Sequence, residues 1–205
     1  MLLTEFDANR QAIINPEALH EPLEGFPKIA VSCFSRSTFQ RMLEMFPYEL
    51  IYETSMANVA IPIYKLVIDD NELAIFNAPV GASACVGILE DIFALGADKL
   101  VLFGTCGVLD EDIKETSIII PSHALRDEGT SFHYVEASDE IAVNVGVLDH
   151  FRSYLNERQI SHKEGKVWTT DGIYRETNGK LKARKAAGAI CVDMECSCLL
   201  YTSDA

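Results

Sequence analysis

The sequence predicts an α/β fold, a sheet with helices packed on its faces, and three observations carry that expectation. Short apolar runs alternate along the chain with segments whose apolar residues recur at helical spacing. Two of the runs, Leu100 to Phe103 and Ser117 to Ile120, are almost purely apolar, as central strands covered on both sides would be. The junctions carry helix caps and tight turns, with no internal repeat, low-complexity tract or linker. At 205 residues the simplest organisation is one domain over 1–205, able to bury roughly 70% of its unfolded surface.

The elements follow in order. Lys28 to Phe34 is the first strand, and Ser35 can cap a helix in which Phe39, Met42, Leu43 and Phe46 recur before Pro47. Leu50 to Tyr52, Ala60 to Val67 and Leu73 to Phe76 read as strands, with a turn at Asp70-Asn71 between the last two. Gly81-Ala82-Ser83 opens a helix with Ile88, Leu89, Ile92 and Leu95 on one face, closed by Gly96. After the two apolar runs and a polar loop, Ile141 to Leu155 reads as helix and Gly165 to Thr170 as strand. Glu176 to Ala187 is a charged helix, Ala189 to Val192 the last strand, and Met194 to Leu200 the start of another helix.

Composition excludes several classes. A net charge of −14 argues against a nucleic-acid groove and means that any phosphate site must be made locally positive. No apolar run approaches the ~18 residues of a membrane span, and the acidic start MLLTEFDANR lacks a signal pattern. The six cysteines sit mostly inside apolar segments, as buried free thiols of a reducing cytosol do. Cys191, Cys196 and Cys198 lack zinc-ligand spacing, so no metal site is expected.

Chemistry-bearing residues gather at strand ends. Ser32-Cys33-Phe34-Ser35-Arg36 is a strand-to-helix turn whose N–H groups and arginine suit an anion, or simply a capped surface helix. Gly104-Thr105-Cys106-Gly107 is a small-residue turn offering a hydroxyl. Cys106 as a nucleophile would need a small residue two places on, and Val108 is not small, so packing is its expected role. Arg126 to His133 is a polar loop with a permissive Gly129. Thr169 to Glu176 follows a strand, and Val192-Asp193-Met194-Glu195 puts carboxylates where a central strand leaves into a helix, a costly placement without partners. Lys180, Lys182, Arg184 and Lys185 read as a solvated helix face.

These five segments, in this order, resemble the nucleoside phosphorylase superfamily (purine and uridine phosphorylase family 1), on its uridine phosphorylase side. The likeness covers residues 27–200; a non-native tail is one reading of 201–205, and the family's C-terminal strand and long helix have no counterpart. The resemblance implies a three-layer α/β/α fold around a central mixed, partly barrel-like β-sheet that lacks that C-terminal helix. It implies a pentosyltransferase that cleaves a nucleoside with inorganic phosphate, needing no cofactor besides that co-substrate, and working as a cytoplasmic homo-oligomer, a dimer or trimer of dimers. Arg36 and Thr105 would hold phosphate and, with Glu195, act in catalysis. Met194, Glu195, Asp193 and His133 would hold the ribose, and Ile173, Arg175 and Glu176 would face the base.

The chain also departs from the pattern. Ser32 replaces a glycine, Leu102 stands where many members carry an arginine, and no arginine between Leu50 and Tyr64 matches the one lent by a neighbouring subunit. Each charge-assisted bond to phosphate is worth ~1.5–3 kcal/mol, so two losses, unless other groups replace them, would weaken phosphate binding about several hundred-fold or more. A nucleosidase using water, or a non-catalytic nucleoside-binding protein, is therefore the alternative expectation. Thr177 and Gly179 replace the glutamine–arginine pair that reads uracil, and Asp204 follows Glu195 too soon to match the aspartate that protonates purines.

Overall fold

A computed structural model of the chain describes residues 2–114 and 117–202. These fall into two compact units, Asn9–Thr105 and a second formed by the chain from Cys106 onward with its first few residues. Asp204 lies outside the described residues.

In the first unit a five-stranded mixed sheet has the order β2-β3-β4-β1-β5. Its strands are β1 (Ile29–Cys33), β2 (Tyr48–Met56), β3 (Val59–Ile68), β4 (Asn71–Asn77) and β5 (Lys99–Phe103). β1 lies parallel to both β4 and β5, whereas β2, β3 and β4 form an antiparallel meander. The β3–β4 turn is Asp69-Asp70, one residue earlier than expected. Both residues have positive φ, 48° and 64°, which a two-residue hairpin loop requires and which aspartate tolerates. Helix α1 (Arg36–Met45) begins with the Ser35 hydroxyl accepting from the Thr38 N–H, and lays Phe39, Met42 and Leu43 on Cys33, Leu66 and Ile75. Helix α2 (Ala82–Leu95) buries Ile88, Leu89 and Ile92 and ends at Gly96 with φ 130°, a helix stop open to glycine.

The second unit holds another five-stranded mixed sheet, of order β6-β10-β9-β7-β8. These strands are β6 (Gly107–Val108), β7 (Ile118–Asp127), β8 (Glu140–Ala142), β9 (His162–Thr170) and β10 (Ala189–Asp193). β7, β9 and β10 run parallel in the centre, with β6 and β8 antiparallel at the edges. Three helices accompany it: α3 (Val145–Glu157), α4 (Asn178–Ala186) and α5 (Cys196–Thr202). On one face Cys196 and Leu200 of α5 pack with Ala124, Val167 and Cys191. On the other, Leu125, Trp168 and Val192 form a cluster, with the Arg184 guanidinium of α4 over the Trp168 ring.

The expected partly barrel-like central sheet is not there: among the described residues, neither sheet closes. A barrel needs each strand paired on both sides, but β2 and β5 end one sheet and β6 and β8 end the other. β5 is correspondingly an edge strand with Val101 and Phe103 over a third exposed, rather than a central strand covered on both faces. Two further expectations shift. The strand at Ser117 to Ile120 runs on to Asp127, because Pro121 and Ser122 sit at a register shift, where a strand tolerates the missing N–H, and polar His123 and Arg126 stay in the ladder. Residues 140–142 form β8, and α3 starts only after Asn144, whose side chain accepts from the Gly146 N–H.

Candidate functional site

In open parallel sheets ligands bind beyond the carboxyl ends of strands, and each unit has one such edge. In the first, Cys33 is register neighbour to both Asn77 and Phe103, so β4, β1 and β5 end together. Arg36, the first residue of α1, and Thr105, two residues past β5, leave this edge and are both exposed. Ser32 is fully occupied: its hydroxyl donates to the Phe76 carbonyl at 2.8 Å and accepts from the Ala78 N–H at 3.1 Å. Asn77 adds a bond from its side-chain N–H to the Cys33 carbonyl at 2.6 Å. The turn after β5 has no space for a larger residue at its head, since a Cβ on Gly104 would lie 2.7 Å from the Phe34 ring.

In the second unit Asp127 pairs with Thr170 and Thr169 with Asp193, so β7, β9 and β10 also end side by side. Most of the candidate residues lie here. Asp193 is the last residue of β10, Met194 is half-buried, and Glu195 is buried in the bend before α5. His133 is the exposed last residue of a 3-10 turn, Thr130–His133, which packs on α5. Ile173 and Arg175 lie on a second such turn, Ile173–Arg175, directly after β9, and Glu176 follows; all three are exposed.

Behind these residues runs a hydrogen-bonded net that the residue pattern only partly announces. The Thr169 hydroxyl donates to Asp193 Oδ1 at 2.7 Å and accepts from the Ser197 N–H at 3.0 Å. Asp193 Oδ2 accepts from the Cys196 N–H at 2.7 Å. The Ser197 hydroxyl donates to Glu128 Oε1 at 2.9 Å, and Glu128 also accepts from the N–H and hydroxyl of Ser131. Arg126, at the head of the polar stretch that ends in His133, is buried and turned inward. Its Nε donates to Ser131 and its Nη1 to the Glu136 carbonyl and Ser138, with Phe132 beneath it. Nothing in the sequence singles out the Thr169 and Ser197 hydroxyls, because a buried hydroxyl resembles any other small core residue.

Electrostatics separate the two strand-end aspartates. Burial pushes the Asp193 carboxyl up to about 6, helped by the nearby Glu195, while its hydrogen bonds from Thr169 and two backbone N–H groups pull the other way. Burial also pushes Asp127 up, but Lys180, Trp168 and Arg184 outweigh it and hold that carboxyl below the ordinary range. Lys180 and Arg184 thus face Asp127, at 3.0 and 3.2 Å, rather than all of the basic cluster facing solvent; Lys182 and Lys185 remain exposed. Cys106 packs against Cys191 and Cys196, as expected of a core thiol. None of the six cysteines, all among the described residues, is in a disulfide.

Residues 28–204 match the phosphorylase superfamily. The chain belongs to that superfamily. Among curated members, a purine nucleoside phosphorylase (DeoD-type) of Brevibacillus brevis is 31% identical over 108 residues, covering 52% of this chain and 46% of that protein. A guanosine phosphorylase of Halorubrum lacusprofundi is 22% identical over 135 residues, covering 64% of the chain and 56% of the relative. The chain thus spans about half the length of the curated phosphorylase superfamily relatives it matches. Its fold is that of the superfamily's solved members. The uridine phosphorylase of Vibrio fischeri superposes with TM-score 0.79 at 19% identity, over 95% of this chain and 80% of that one. A purine nucleoside phosphorylase of Toxoplasma gondii superposes with TM-score 0.76 at 18% identity, over 90% and 76%.

Proposed function

We propose that this phosphorylase superfamily member cleaves the N-glycosidic bond of a nucleoside with inorganic phosphate, releasing the free base and ribose or deoxyribose 1-phosphate. The observation that carries the reading is Glu195, a buried carboxylate just past the carboxyl end of β10, in a superfamily whose curated members similar to this chain include a purine nucleoside phosphorylase and a guanosine phosphorylase. In the reaction the base leaves with the electron pair of the C1′–N bond and takes up a proton. A phosphate oxygen forms the new bond to C1′. The ribose ring acquires oxocarbenium character on the way, and an anion held beneath C1′ both stabilises and captures it.

Glu195 accepts the ribose hydroxyls, Met194 packs beneath the sugar and His133 borders it. Arg36 and Thr105 hold phosphate, and Ile173, Arg175 and Glu176 meet the base. Such chemistry asks little of acids and bases; positioning supplies most of the rate. The same reading makes the protein a cytoplasmic homo-oligomer. Cysteines outside any disulfide suit a reducing compartment, and no helix among the described residues is long and apolar enough to cross a membrane. The edge strand β2 exposes Tyr48 and Leu50, each by 55%, as a surface awaiting a second copy would.

The experiment is nucleoside cleavage followed by chromatography, with and without phosphate. Base release that requires phosphate and yields pentose 1-phosphate is expected for at least one purine or pyrimidine nucleoside. Phosphate-independent release of free pentose, or tight nucleoside binding with no turnover, overturns it.

A further inference from the structure

We propose that Asp193 and Thr169 are positioning residues that fix the bend presenting Glu195, and that Asp193 does not itself grip the sugar; this rests on the reading of Glu195 as a ribose ligand. The Asp193 carboxylate is already engaged on both oxygens. Oδ1 takes the Thr169 hydroxyl and Oδ2 the Cys196 N–H, each at 2.7 Å, and the Glu195 N–H also points at the carboxylate. One side chain therefore holds the backbone on both sides of the Glu195 peptide unit, closing the strand into the helix.

Thr169 locks that arrangement from the neighbouring strand. It lies opposite Asp193 in the β9–β10 register and is wholly buried, so it reaches no solvent and no ligand. Its hydroxyl has one proton and gives it to Asp193, leaving a lone pair for the Ser197 N–H at 3.0 Å. With Asp193 ionised the directions are fixed, because an amide N–H can only donate and a carboxylate can only accept. The bend is bound onward through the Ser197 hydroxyl to Glu128, which receives the Ser131 N–H at 2.9 Å from the turn that carries His133. The Glu195 bend and the His133 turn are in this way two ends of one buried net. A side chain that must grip two ribose hydroxyls gains most from such support, since a ligand held off its productive geometry loses rate and affinity together.

Three single variants separate the roles. Asp193→Asn keeps an oxygen for the Cys196 N–H and can donate to Thr169, so it preserves the clamp while removing the charge. Asp193→Ala and Thr169→Val remove the clamp, and Thr169→Ser restores the hydroxyl. Expected are a nucleoside KM within about 3-fold of the parent for Asp193→Asn and Thr169→Ser, and a rise of about 10-fold or more for Asp193→Ala and Thr169→Val, with phosphate KM within about 2-fold throughout. Loss of a charge-assisted bond to ribose would instead cost Asp193→Asn about 10- to 100-fold, and that outcome overturns the proposal. Amide exchange at Cys196 and Ser197, measured without nucleoside, decides the clamp separately. Protection should fall in Asp193→Ala and Thr169→Val alone, and unchanged protection in both sinks the clamp even if phosphorolysis stands. Lost protection in a chain that neither binds nor cleaves nucleosides leaves the clamp in place and rejects the function assigned to it.

Discussion

At the scale of single residues, the two strand-end aspartates make opposite predictions. Asp193 is an acid whose folded pKa, about 6, lies above its unfolded value near the ordinary 3.8. The fold therefore loses stability as pH climbs through that interval, by a few kcal/mol at most. Asp193→Asn carries no such loss, so its melting temperature relative to the parent should be higher at pH 7.5 than at pH 4; a constant difference would refute the assignment. Asp127 has its pKa depressed by Lys180, Trp168 and Arg184 against the pull of burial. Its contribution is present above the unfolded value and disappears as pH falls through the folded one. Asp127→Asn should accordingly destabilise the protein at neutral pH, with the deficit shrinking in acid unfolding series below about pH 4.

At the scale of elements, legibility followed burial on one face. β1, α1 and α2 were readable because apolar periodicity and caps agree: Ser35 accepts from Thr38, and Gly96 stops α2 as its position suggested. β7 was cut short because Pro121 and the polar Ser122, His123 and Arg126 imitate a loop, and only pairing with β9 across a register shift keeps them in a strand. β8 vanished into a helix because three residues carry no period. The site behaved likewise. Strand ends and carboxylates were visible, whereas the direction of Arg126 was not, since only tertiary packing turns a guanidinium inward. That arginine ties the end of β7 to residues 131–138 through Ser131, Ser138 and the Glu136 carbonyl. Arg126→Ala strands these groups, and chemical unfolding should report a loss of about 2–4 kcal/mol. Arg126→Lys, which cannot reproduce the fork, should recover less than half of it.

For the molecule as a whole, two open sheets leave four edge strands among the described residues, and one of them, β2, is nine residues long. A long edge with exposed Tyr48 and Leu50 invites pairing unless something covers it. Leu50→Lys should lower the mass measured by light scattering towards that of one chain, with little change in the melting of the monomer. A parent protein already running as a monomer would remove self-association from the proposed function. On the proposed reading phosphate would meet fewer cations, since Leu102, half-buried in β5, stands where the sequence resemblance expects an arginine. A phosphate KM well above that of an arginine-bearing relative is the corresponding expectation.

The first residue of β6 leaves a trace that evolution should have had to respect. A Cβ at Gly107 would come within 2.9 Å of a Val192 methyl, so these two places share one allotment of space. Among kindred sequences, a side chain at the first should travel with alanine or glycine at the second, and a double substitution should rescue what either enlargement alone destroys.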